Sequence, residues 1–580
     1  MKKAKLKARQ FDTMIDIIGS SPYIDMLGIS TVLGALNIYE QDDYRVKDLL
    51  MLMASKVIEN FPRGNGRFQL EPKEVGLALF GFKNMNSDTP EVQDLLTALT
   101  AHIALVNKPL AARDVSKVMF GVRNMNPATS KQVRDLLAVV TGRIKECTET
   151  LEDYLGNSFY NIKDMSTDVE EVRHLIAVLT THLSLCTPGS LSARNVCSIM
   201  YSLKNMNGDI KEIRELMCAL RCHVSECIEP FSAQGVSTAL YGLKSMNSNN
   251  VEVRALLDAM EGQIGRCTEA FNGQVIGNAL YGLNKMNSTH EEVRRLLASL
   301  AVHLRGCKTD APPLKAQEVG NSLYGLKSSS SDHAEVRDVL SSLVSHVARC
   351  QEKFGTLTVA SALYGMQKMS SNHFEVREML KALRNHIVAC PDILTPQGVA
   401  NTLFGLKSMS NSDKEVREML SALAIHFRRC PDKLSNHQLT VAVYSLHNMN
   451  SNAKEVREIV ESLIPLIGTQ EKENNYEPLL SRDVGQILYG LRRMQSDERC
   501  VRELIATLLP LIEQCDTPPD SMGFGNSLYG LQSMNCNSDE VQDLLSVLTT
   551  YISRCTVELS PQCVGNALYG LQVCSVFYDN

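Results

Sequence analysis

Apolar positions recur along this chain on one fixed pattern. Residues 236–267, VSTALYGLKSMNSNNVEVRALLDAMEGQIGRC, show it in full. With Tyr241 set at 0° and each residue advanced by about 100°, Val236, Ala239, Leu240, Leu243 and Met246 fall between about 140° and 260°. That is the apolar stripe of a helix, here called A. A polar turn follows at 247–250, built of the Asn and Ser residues that start helices. Apolar residues then return at i, i+3, i+4 and i+7 spacing, which predicts a second helix, B. The charges at its start, Glu252 and Arg254, read as solvated or paired, and Glu there suits the helix dipole.

The same unit is written thirteen times. Its aromatic falls at Phe80, Phe120, Tyr160, Tyr201, Tyr241, Tyr281, Tyr324, Tyr364, Phe404, Tyr444, Tyr489, Tyr529 and Tyr569. The step is 40 residues in nine of twelve cases, and 41, 43 and 45 in the others. A period of that length predicts an all-α solenoid of about thirteen helical pairs, each burying its apolar face against its neighbours. Residues 29–36, ISTVLGAL, read as a worn first copy with Gly34 in the aromatic's place, and 45–50, RVKDLL, match helix B. Residues 1–28 read as an N-terminal leader and 29–580 as the array. Extra residues at 308–314, with Pro312 and Pro313, and at 469–479 read as surface loops between B and the next A. The last repeat is incomplete: 564–571, VGNALYGL, supply helix A, and 573–580 supply no helix B.

Composition narrows the class. Apolar residues make up 44% and charged residues 21%, which suits a folded chain and excludes a disordered one. No apolar run reaches 18 residues, so no membrane span is expected. The first eleven residues, MKKAKLKARQF, are compatible with an organelle-targeting start and read as a disordered basic leader. Net charge is -6, which argues against coating nucleic acid by bulk charge and leaves room for a local basic stripe. Of seventeen cysteines, ten recur near the end of helix B: Cys147, Cys186, Cys227, Cys267, Cys307, Cys350, Cys390, Cys430, Cys515 and Cys555. Neighbouring copies should stand about 8–10 Å apart, too far for a disulfide. They read as buried thiols in a reducing, intracellular compartment.

The side of helix A opposite the core stripe carries the candidate chemistry. Three positions before the aromatic, Asn recurs at Asn157, Asn278, Asn321, Asn401, Asn526 and Asn566. Three positions after it stand Lys83, Arg123, Lys163, Lys204, Lys244, Lys327, Lys407 and Arg492, and no copy has an acid there. One position later the side chain varies. This pattern predicts a groove for single-stranded RNA, with aromatics on bases, lysines on phosphates and variable polar residues on base edges. Tyr241, Tyr281, Tyr324, Tyr364, Phe404 and Tyr529 are the candidate stacking or shape-setting residues. Lys204, Lys244, Lys327, Lys407 and Arg492 are the candidate phosphate contacts, and Asn278, Asn321, Asn401 and Asn526 the base or sugar contacts. Packing between repeats is the competing reading for the aromatics, since Gly follows ten of the thirteen and lets helices approach closely. Ordinary solvation competes for the bases. An extended peptide gripped by the Asn ladder, as on an armadillo- or HEAT-like scaffold, is the alternative partner.

Other regularities read as structure. His182, His223, His303, His346, His386 and His426 each precede the repeated Cys by four residues, which gives a ladder and not a closed four-ligand metal site. The methionines of the repeat, Met246 among them, lie on the core stripe. No GxxxxGK[ST], GxSxG or HExxH motif occurs, and nothing predicts catalysis, a cofactor or a bound metal.

The lines VGNALYGLQ (564–572), VGNSLYGLKS (319–328) and VANTLFGLKSM (399–409) resemble the octotricopeptide repeats found with RAP-domain proteins. The resemblance covers about 29–580, with no recognisable RAP domain. It implies a right-handed superhelix of helical pairs, binding of organellar RNA, and a part in transcript stability, processing, editing or translation. A mitochondrion or plastid is then the implied compartment, with the cytoplasm as alternative.

Overall fold

The computed structural model describes residues 8–22, 24–40, 43–60, 69–306, 312–468 and 478–575. Among the described residues there are 28 α-helices and no strand. The chain divides into two compact units, Met1–Glu269 and Ala270–Asn580. In the first unit the A helices are Met26–Ala35, Pro72–Phe80, Ala112–Gly121, Glu152–Ile162, Ala193–Ser202 and Ala233–Gly242. The B helices are Tyr44–Glu59, Pro90–Ala104, Lys131–Lys145, Glu170–Leu185, Lys211–Ser225 and Val251–Arg266. In the second unit the A helices are Gly273–Gly282, Ala316–Tyr324, Thr356–Tyr364, Pro396–Leu406, Asn436–Tyr444, Ser481–Gly490, Ser521–Tyr529 and Pro561–Ser575. Its B helices are Glu291–Arg305, Ala334–Ala348, Phe374–Val388, Lys414–Phe427, Lys454–Leu463, Arg499–Glu513 and Asp539–Ile552. Within each unit every A packs on the next A and every B on the next B, the two-layer stack of an α-solenoid.

The disordered reading of residues 1–11 needs correction over 8–11. Ala8–Ser20 is a helix with Phe11 and Ile18 buried, and it packs against Tyr44–Glu59. Residues 1–7 lie outside the described residues, as do Cys307, residues 308–311 and 469–477 of the two inserted loops, and 576–580.

The core follows the apolar stripes. Val236, Ala239, Leu240, Leu243 and Met246 are all buried to 0% exposure, with Val253, Leu256, Leu257, Met260 and Ile264 of the following B helix. Helix A is shorter than its apolar period suggests. It ends at Gly242, and Leu243–Ser245 form a single tight 3-10 turn. The glycine marks where neighbouring A helices meet. A Cβ built on Gly242 would stand 2.0 Å from the Met200 carbonyl oxygen, and one on Gly365 would stand 2.1 Å from that of Leu323. Asn161, Ser202 and Ser445 hold this position in three copies.

Polar side chains join each repeat to the one before. A serine in the A–B turn, buried and seven places after the aromatic, accepts a backbone N–H from the next repeat: Ser87 from Asn126 at 2.9 Å, Ser331 from Ser370 at 2.8 Å, Ser496 from Asn535 at 2.7 Å. The arginine at the start of helix B is not merely solvated. Arg254 Nη1 donates to the carbonyls of Ser248 and Asn249 at 2.8 and 3.0 Å, and Arg377 clamps its own turn in the same way. The histidine ladder lies at the seam between B helices. His223 Nε2 donates to Leu183 O at 3.0 Å and His386 Nε2 to Val347 O at 2.9 Å; Gln263 stands in for the histidine and donates to Val224 O at 2.7 Å. Burial holds His223 and His346 below the ordinary imidazole pKa. The ladder cysteines Cys147, Cys186, Cys227, Cys267, Cys350, Cys390, Cys430 and Cys515 are buried free thiols. Cys536, outside the ladder, is held in a disulfide.

Candidate nucleic-acid interface

The aromatics form a ring-on-ring ladder along the A helices of each unit. In the first, Tyr160 stacks on Tyr201 at 5.8 Å between centroids, and Tyr201 on Tyr241 at 6.0 Å, with planes 19° and 22° apart. In the second, Tyr281, Tyr324, Tyr364 and Phe404 follow one another at 5.5, 6.0 and 5.6 Å. Tyr444, Tyr489, Tyr529 and Tyr569 do the same at 6.0, 5.8 and 5.7 Å. These are distances of direct offset stacking, worth about 0.5–1.5 kcal/mol a pair. No base fits between rings so placed. Tyr324, Tyr364 and Tyr529 have a ring on either side. Their faces meet each other, and their edges line the helix-A surface.

The bases sit over the same rings. Lys204 Nζ lies 5.0 Å from the Tyr201 centroid, Lys244 5.2 Å from Tyr241, Lys327 4.3 Å from Tyr324 and Lys407 3.7 Å from Phe404. The Arg492 guanidinium lies 4.5 Å from Tyr489. Such cation–π contacts contribute about 0.5–1 kcal/mol at exposed sites. Several have a second partner. Lys327 Nζ donates to the Tyr324 hydroxyl at 2.8 Å, and Arg492 donates to His447 O, Asn448 Oδ1 and the Tyr489 hydroxyl. Lys204 pairs with Asp164 at 3.1 Å, alongside Lys163 at 2.9 Å. Burial alone would raise the Asp164 pKa, but these two ammonium groups outweigh it and hold the carboxyl below its usual range. Burial and the charge of Lys368 lower the Lys407 pKa.

The asparagines three places before the aromatic are half-buried at Asn278, Asn321, Asn401 and Asn526. Asn401 Oδ1 accepts from Gln397 Nε2 at 2.9 Å. Among the described residues the side-chain amides of Asn278, Asn321 and Asn526 have no hydrogen-bond partner.

The variable column four places after the aromatic, expected to read base edges, is engaged elsewhere. Ser245 Oγ donates to Lys204 O, Ser408 to Gln367 O at 2.7 Å, Asn448 Nδ2 to Lys407 O at 2.9 Å and Ser533 to Arg492 O at 2.8 Å. At Ser245 this position closes the 3-10 turn, and at Ser408, Asn448 and Ser533 it lies in the turn that follows helix A, where the side chain meets the preceding repeat.

A further column was missed, seven places before the aromatic. Nearly two turns separate it from the ring, so it lies on the same face. It holds Lys73, Arg113, Arg194 and Arg482, five glutamines, and one acid, Asp153. The 3.6 period alone could have found it. Taken together, the columns at −7, −3, +3 and +4 hold sixteen lysines and arginines and two acids, Asp153 and Asp164, in a chain of net charge -6. Three of the acids that follow the −7 column, Glu74, Glu318 and Asp483, turn back to accept their own helix's N-cap N–H, while Asp114 pairs with Lys117 at 2.7 Å.

Fold and face together define α-solenoid units of tandem helical pairs, whose A helices carry a basic, amide-bearing face. No family model and no curated protein matches the chain. Among solved structures, it is similar to the pentatricopeptide repeat protein PPR10 in complex with an 18-nt psaJ RNA element, at 10% identity over 97% of this chain and 81% of that one, with a TM-score of 0.29. It is similar also to the SYS-1/POP-1 complex, at 10% identity over 95% of this chain and 100% of that one, with a TM-score of 0.28. Likenesses this loose carry no argument about this chain. Among the described residues no helix is long and apolar enough to cross a membrane.

Proposed function

We propose that this protein binds single-stranded RNA along the helix-A face of its repeats, without catalysis. The observation that carries the reading is the segregation of charge: thirteen bases against one acid on the −7, −3 and +3 columns of one face, in a chain that is acidic as a whole. A strand of phosphates is the partner such a stripe suits. The stacked rings serve as a rigid spine under that stripe, holding the lysines above it. The octotricopeptide resemblance extends the proposal to organellar RNA metabolism. Fluorescence anisotropy of the full chain with a random single-stranded RNA pool, titrated with salt, tests it. Binding that weakens with a log–log slope of several units is expected. Absence of binding at low salt would refute it.

The unpaired amides of Asn278, Asn321 and Asn526 favour a second reading, an extended peptide held by its backbone. The surrounding bases would then select an acidic peptide. Competition of such a peptide against the bound RNA pool separates the two.

A further inference from the structure

Each of the thirteen A helices that carry the aromatic has a residue seven places before it, and all thirteen of these residues are exposed. Helical geometry points this residue about 20° from the aromatic. Its chemistry changes from copy to copy: Arg194 and Gln234 in the first unit, Gln317, His437 and Arg482 in the second. Position and exposure stay fixed while the functional group varies. The residue four places on is the −3 position, one turn along the same face. The two meet in two of the copies. Gln234 Nε2 donates to Thr238 Oγ1 at 3.1 Å, and Gln397 Nε2 donates to Asn401 Oδ1 at 2.9 Å. The other columns have other work: the rings stack on one another, the +3 bases lie over the rings, and +4 side chains bond back to the preceding repeat.

We infer that the −7 and −3 residues together form a nucleotide-reading pair in each repeat where both are polar, which leaves out the copies with Leu357 or Met522 at −7 and Leu77 or Val441 at −3. The inference rests on the RNA reading above. An amide or guanidinium at −7 and an amide or hydroxyl at −3 present a small, repeat-specific set of donors and acceptors, which is what discrimination between base edges needs. A strong consequence follows from the sequence. Four repeats of the second unit carry the same pair, Gln then Asn: 274 with 278, 317 with 321, 397 with 401, and 562 with 566. They prefer the same base. Counting one nucleotide per repeat from the Gln274 copy as n, that base recurs at n, n+1, n+3 and n+7, in one reading direction of the RNA.

The test is selection of the full-length chain against a random single-stranded RNA pool, repeated with the double variant Gln317→Ala and Asn321→Ala. Gln317 is exposed and Asn321 has no side-chain partner among the described residues, so a matching thermal melt is expected. The unaltered chain should enrich the n, n+1, n+3, n+7 pattern. The variant should lose preference at n+1 alone, with discrimination there falling roughly tenfold or more. Its affinity for the unselected pool and its salt slope should not change, since no charge is altered. An enriched motif without the pattern, or a variant motif unchanged at n+1, would overturn the reading pair while pool binding kept the RNA reading intact. Failure of the unaltered chain to bind the pool would remove both.

Discussion

His223 gives its Nε2 proton to the Leu183 carbonyl, and its buried Nδ1 has no hydrogen-bond partner. Protonation would bury an unpaired N–H there, and burial lowers the His223 pKa; at His346 burial does the same, helped by the charge of Arg349, whose Nη2 stands 3.3 Å from Nδ1. A folded-state value below the unfolded one means that the unfolded chain binds the proton more readily. The stabilising contribution is therefore complete above the ordinary imidazole value of about 6.5 and is lost as pH falls through the folded value. Thermal melts should show a lower midpoint at pH 5 than at pH 7. The drop should be smaller in the variant His223→Gln with His346→Gln, because Gln keeps the carbonyl bond, as Gln263 does, but cannot titrate. An equal drop would exclude these histidines as its source. Burial also pushes the Cys186 and Cys500 thiols up to about 11. At pH 8 iodoacetamide should modify exposed Cys222 before either of them, as peptide mass spectrometry would show.

At the scale of the element, the glycine after the aromatic and the helical pair around it decide the spacing of the stack. Gly365→Val places a branched side chain against the Leu323 carbonyl and should destabilise the fold by about 1–3 kcal/mol. Gly262→Ala, in the exposed middle of helix B with nothing within 4 Å of the new carbon, should stabilise by about 0.5–1 kcal/mol. Urea titration of both variants checks the pair, and similar effects from both would contradict the close approach at Gly365. Sequence reasoning reaches this far because an apolar stripe with a period of 3.6 leaves Val236, Ala239, Leu240, Leu243 and Met246 no other side to face. It fails at the end of helix A. The period continues through Met246, while the backbone tightens at Leu243 and redirects Ser245 onto Lys204. Ser248 and Arg254 look like an ordinary polar turn and a solvated charge. Their part in holding the turn and joining repeats depends on backbone carbonyls and N–H groups that side-chain patterning does not show.

For the whole molecule, the central matter is where the charge lies. A chain with a formal charge of -6 and a pI near 6.2 would be repelled by nucleic acid if its bases were spread evenly. They are not, and the −7, −3 and +3 columns of helix A hold thirteen of them. Lys211, Lys381, Lys414 and Lys454, by contrast, stand exposed on B helices and pair with Glu215, Glu378, Glu418 and Glu458. Those surface pairs contribute little to stability, so their replacement makes a matched control. The decisive measurement compares two fourfold variants of equal charge by RNA anisotropy across a salt series. One carries Gln at Lys204, Lys244, Lys327 and Lys407, where the remaining stem can still cover the rings. The other carries Gln at Lys211, Lys381, Lys414 and Lys454. The helix-A variant should lose about three units of log–log slope, and the helix-B variant should keep the slope of the unaltered chain. Equal losses in both variants, or a loss confined to the helix-B variant, would contradict the assignment of RNA to the helix-A face.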